Sequence, residues 1–114
     1  MTVVLLTTDL MTMSRIDGAA SRSGVRLQIA SSAQQAATLC RLNSAGLLIV
    51  DLSSPSLDLS ELVAAVKACD AAPKIIAFGP HVHEDRLAAA RDAGCDEVIS
   101  RGQFFGQMDD LLRS

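Results

Sequence analysis

Tryptophan and tyrosine are missing from this chain, and only three phenylalanines are present. Binders of single-stranded nucleic acid stack bases on aromatic side chains, and this sequence has few to offer. It also lacks any run of Lys and Arg, and its net charge is -3, whereas a phosphate-backbone binder needs a basic face. Nucleic acid is therefore not an expected partner. No apolar run approaches the ~20 residues of a membrane-spanning helix, so a membrane is not expected either. The opening "MTVVLLTTDLM" has no basic n-region and reads as a strand rather than a signal peptide. The cysteines are few and far apart: Cys40, Cys69 and Cys95 show no paired metal spacing. They fit reduced, partly buried thiols and a cytoplasmic location. No glycine-rich phosphate loop, Cys–His pair or Ser–His–Asp arrangement occurs, and no enzyme activity is expected.

What is abundant is aliphatic. Of 114 residues, 49% are apolar, enough for one core and one domain over residues 1–114. Short apolar runs alternate with amphipathic ones. Val3–Leu6, "VRLQI" (25–29), "LLIV" (47–50), "KIIAF" (74–78) and "EVIS" (97–100) read as strands. Between and after them, helices are expected over Leu10–Ser21 with Asp9 as N-cap, over the segment opened by Ser32 and Gln35 in a capping-box pattern, over Leu57–Cys69, over 83–94 with Gly94 at its end, and over 103–113. Five strand–helix pairs imply an α/β, flavodoxin-like (βα)5 three-layer sandwich with a parallel sheet in the order 2-1-3-4-5.

In such a sheet, ligands sit beyond the carboxyl ends of the strands where the order reverses, here between strands 1 and 3. Thr7, Thr8 and Asp9 after strand 1 would meet Asp51, the carboxylate that ends "LLIVD". Two readings of Asp51 stand: a reactive group presented at the end of a buried strand, or a polar residue where the chain leaves the core.

The stretch "LLIVDLSSPSLD", with Asp51 and Pro55 four residues on, resembles the third strand of response-regulator receiver domains, whose terminal Asp accepts a phosphoryl group. "RLAAARDAGCDEVISR", with Ala93, Gly94 and Arg101, resembles that family's fourth helix and fifth strand. An active receiver resembling this chain has two acidic residues after strand 1 that hold Mg²⁺, a Ser/Thr after strand 4 and a Lys after strand 5. The positions that match carry Thr7 and Thr8, Phe78 or Gly79, and Arg101, and the Pro that follows the Lys is matched by Gly102. Asp9 stands one residue late, as a displaced carboxylate or as a helix cap. The resemblance implies that Phe78 fills the space a Thr would sweep through, and that Arg101 forms a salt bridge to Asp51.

The leading expectation is a degenerate, or pseudo-, receiver: a stand-alone signalling module that works by protein–protein interaction, its phosphorylation crevice impaired or silent. A second is a working atypical phosphoacceptor fed by a histidine kinase, with a partial Mg²⁺ site from Asp9 and Asp51. A third is a small-molecule or anion-binding domain using helix N-termini and Arg101. The last helix bears on the first. Phe104, Met108 and Leu111 form one stripe, Phe105 and Leu112 a second about 100° away. Phe105 and Leu112 are thus expected partly exposed near helix 4. In receiver-like domains the helix 4–strand 5–helix 5 face mediates dimerisation, so the resemblance implies a partner or self-association surface there. His81 and His83, beside Glu84 and Asp85, read as a mobile loop or a weak metal site. Met11 and Met13 read as core or as an adaptable contact surface.

Overall fold

Five strands, β1 (Thr2–Leu6), β2 (Arg26–Ala30), β3 (Leu47–Asp51), β4 (Lys74–Gly79) and β5 (Glu97–Ser100), pair in parallel in the order β2-β1-β3-β4-β5. The helices are α1 (Leu10–Ser23), α2 (Ala33–Asn43), α3 (Leu59–Lys67), α4 (Glu84–Ala93) and α5 (Arg101–Arg113). This computed structural model describes residues 1–55 and 57–113. The expected fold class and strand order are both present.

Strand side chains alternate between faces, and here both faces are covered. Val4, Leu6, Leu48, Val50, Ile75 and Ala77 pack with Ala36, Cys40, Leu62, Val66, Leu87 and Ala90 of α2, α3 and α4. Val3, Leu5, Leu47, Ile49, Ile76 and Phe78 pack with Ile16, Ala19, Phe104, Met108 and Leu112 of α1 and α5. Burying each large apolar side chain contributes about 1.5–3 kcal/mol. Covering on two faces explains why β3 is apolar at every position before its carboxylate. Strand β2, at the edge, keeps Arg26 and Ile29 exposed.

The helix ends depart from expectation in instructive ways. The α3 helix begins at Leu59, not Leu57, because Asp58 caps it, its carboxylate accepting the Glu61 N–H at 3.1 Å. It ends at Lys67, short of Cys69. The Ser32 hydroxyl accepts the Gln35 N–H at 3.1 Å, while the Gln35 side chain accepts from the Ser31 N–H at 2.9 Å. Gly24 and Gly94 close α1 and α4 with φ of 69° and 101°, conformations that favour glycine.

The shift with most bearing on the site is in α5, which starts at Arg101, directly after β5 and two residues before the expected start. Ser100 caps it: its hydroxyl accepts the Gln103 N–H at 3.2 Å, and the Gln103 side chain accepts from the Ser100 N–H at 3.0 Å. Ser100-x-x-Gln103 is a capping box that the strand reading of "EVIS" hid. Leu112 corrects the expectation of partial exposure, being 1% exposed. The buried stripe of α5 runs Phe104–Met108–Leu112, at i, i+4, i+8, because the helix leans over α1 as well as the sheet.

Candidate functional site

Asp51 ends β3 and is 2% exposed, so its carboxylate must be satisfied by the chain around it. One oxygen accepts the Thr7 hydroxyl at 2.7 Å; the other accepts the Ser53 N–H at 2.9 Å. Thr7 is fully buried just beyond β1, and its hydroxyl oxygen also accepts the Asp9 N–H at 3.1 Å. Thr7 and Asp51 thus come together as the strand order requires. Thr8 does not join them and is exposed.

Arg101 does not pair with Asp51. Its guanidinium donates to the Asp9 carboxylate at 3.2 Å and to the Thr12 hydroxyl at 2.8 Å, and Thr12 donates to the same Asp9 oxygen at 2.6 Å. The expected Arg101–Asp51 salt bridge is replaced for a local reason. The Ser100 cap puts Arg101 in the first turn of α5, and α5 lies beside α1, so the side chain meets the start of α1. Asp9 is the N-cap of α1 by position, yet its carboxylate makes no capping bond. The Thr12 hydroxyl, and after it the Arg101 guanidinium, hold the Asp9 carboxyl below its ordinary value of 3.8.

Phe78 is fully buried, and its ring stacks on Phe104 with centroids 4.4 Å apart and planes 14° apart. Phe105 stands edge-on to both rings, at 5.9 and 5.2 Å. The Arg15 guanidinium lies 3.8 Å from the centre of the Phe105 ring and that of Arg101 lies 5.2 Å from it. At Gly79 a Cβ would come within 3.3 Å of the Leu52 Cβ, so that position has little room for a hydroxyl-bearing side chain.

Phe105 is half-buried, and its ring contacts run to Arg15 of α1, not towards α4. Phe105 is thus partly exposed, as expected, but beside α1 rather than helix 4, while Leu112 is buried. The helix 4 face holds a groove of about 620 Å³ between α4, β5 and the start of α5, lined by Leu87, Ala88, Arg91, Ile99, Ser100 and Gln103 among others. His81 borders the same groove and His83 precedes α4. Among the described residues no group of three or more His, Cys, Asp or Glu side chains converges to hold a metal. Met11 is exposed and Met13 half-buried. Sequence reasoning missed Thr12 and Arg15. The Asp9-x-x-Thr12 spacing was a readable signal for the first, since i and i+3 face each other on a helix.

No family model and no curated protein matches the chain. Solved structures do. A response regulator from Hahella chejuensis superposes with a TM-score of 0.83 at 18% identity, over 97% of this chain and 91% of that one. The receiver domain of a sensor histidine kinase from Pseudomonas aeruginosa, which has a magnesium ion coordinated in its active-site cleft, gives 0.82 at 15%, over 98% and 93%. The receiver domain of a response regulator from Bermanella marisrubri gives 0.80 at 18%, over 97% of each chain. With its strand order and its Asp at the end of β3, this chain has the fold of the response-regulator receiver domains.

Proposed function

We propose that the chain is a receiver-like signalling module that acts by binding another protein, with Mg²⁺-dependent phosphorylation of Asp51 impaired or absent. The observation that carries this reading is the Thr7 hydroxyl donating to Asp51 at 2.7 Å, where an active receiver of this fold would bring a metal-binding carboxylate. A hard cation wants several carboxylate oxygens. Each Asp51 oxygen already accepts a hydrogen bond, and Asp9 is engaged by Thr12 and Arg101. This donor set does not fit Mg²⁺. Arg101 is held away from Asp51, and Phe78 is fixed by its stack on Phe104. The groove between α4, β5 and α5 supplies a surface for a protein partner.

A second reading is a working, atypical phosphoacceptor served by a histidine kinase. The partial exposure of Asp9, 43% at its side chain, favours it, because that carboxylate would be free to turn towards the crevice once Arg101 let go. Intact mass after incubation with acetyl phosphate and Mg²⁺, with Asp51→Asn in parallel, separates the two. No adduct on either protein is the expected result. An adduct on the wild type that Asp51→Asn abolishes would replace the first reading with the second.

A further inference from the structure

The ends of α2 and α3 meet over one small cavity on the face of the sheet opposite α1 and α5. Its volume is about 300 Å³, and its walls include Cys40, Arg41 and Ser44 from the end of α2 and Ala68, Cys69 and Asp70 from the end of α3. Two thiols thus border one space, Cys40 from the last turn of α2 and Cys69 from the turn that follows α3. Cys40 is buried and Cys69 half-buried. The Cys69 thiol donates one weak contact, to the Ala65 carbonyl oxygen at 3.8 Å. We infer that Cys40 and Cys69 form a reversible disulfide that ties the end of α2 to the end of α3.

The surroundings set the order of events. Cys69 is the more accessible thiol and meets the oxidant first, a small-molecule disulfide such as glutathione disulfide. Its thiolate attacks one sulfur of that disulfide; the old S–S bond breaks, and one glutathione leaves as thiolate. Cys40 then attacks the Cys69 sulfur and expels the second glutathione, so that two protein thiols are oxidised and one small disulfide is reduced to two thiols. Burial, with the Cys69 charge adding to it, pushes the Cys40 thiol up to about 11, so the second step is the slow one and quickens as pH rises. Both thiols border the same cavity of about 300 Å³, and that shared space is what brings them together. Cys95 is also raised to about 11, first by burial and then by Asp96, with Lys67 opposing. Cys95 does not line the cavity that Cys40 and Cys69 share, so it is not the partner. The bond would enclose the segment that carries β3 and Asp51.

The test is incubation of the full chain with glutathione disulfide in mildly alkaline buffer, alkylation of the remaining thiols, and intact mass with peptide mapping. The expected result is the loss of two hydrogens, a peptide joining Cys40 to Cys69, and a rise in Tm that a reductant reverses. Cys40→Ala is expected to stop at a glutathione adduct on Cys69. A stable glutathione adduct on wild-type Cys69, a cross-link to Cys95, or no change in mass would overturn the inference. The wild-type peptide map decides the matter even if the variant fails to fold.

Discussion

The two layers that cover the sheet are built from different materials. Between the sheet and α1 and α5, all three phenylalanines touch one another, and two guanidinium groups lie over Phe105. Between the sheet and α2, α3 and α4, the packing is Leu, Val, Ile and Ala, with Cys40 among them. The aromatic layer runs up to the mouth of the crevice, where Arg101 joins it to Asp9. The aliphatic layer carries the cavity flanked by two cysteines. One layer is keyed by ring geometry and charge; the other is held mainly by the area it buries. The difference teaches that Arg101 is fixed less by the carboxylate it was expected to meet than by the layer in which it is embedded.

The comparison is broken most directly by emptying one layer. Phe78→Ala should cost about 3–5 kcal/mol in urea unfolding, from lost transfer energy and a cavity beneath the Phe104 ring. Leu62→Ala in the other layer should sit towards the low end of about 2–5 kcal/mol, since its alanine-rich surroundings can close in. Equal losses would erase the distinction between the layers. A smaller effect is expected at the crevice floor. Thr7→Val keeps the shape but takes the donor from a buried Asp51 oxygen, at a cost of about 1–3 kcal/mol, whereas Thr7→Ser should be close to neutral. A tolerant Thr7→Val would mean that water replaces the hydroxyl.

The smallest effect is that of acid. Asp9 is held below its ordinary value of 3.8, so its ionised form is favoured by folding. That contribution is complete above 3.8 and is lost as pH falls through the lower, folded value. An NMR titration of the carboxyl carbon should place the Asp9 midpoint below 3.8, with Thr12→Val moving it up further than Arg101→Gln. The reverse order would make Arg101 the main partner. Because Asp9 is open to solvent, no large change in global stability should accompany the titration.

Much of the fold was legible in the sequence because the alternation of apolar runs was regular and glycine marked the ends of α1 and α4. The strand order followed from connection rules that leave few choices. Asp51 and Thr7 were legible as neighbours for the same reason. The direction of Arg101 was not. It depends on where α5 begins, and Ser100 and Gln103 decide that through side-chain bonds within the run read as a strand and its following turn. Leu112 was misplaced because the arc a helix buries depends on its tilt against a neighbour, here α1, which a wheel drawn for one helix over a flat sheet leaves out.

The phenylalanine cluster has a practical consequence. With no tryptophan or tyrosine in the chain, phenylalanine is its only aromatic chromophore, and all three rings belong to one contact network. Near-ultraviolet circular dichroism of the reduced protein, or fluorine spectra after fluorophenylalanine labelling, would report on that one locality with no background from tryptophan or tyrosine. The chain carries its own optical probe, stationed beside Arg101.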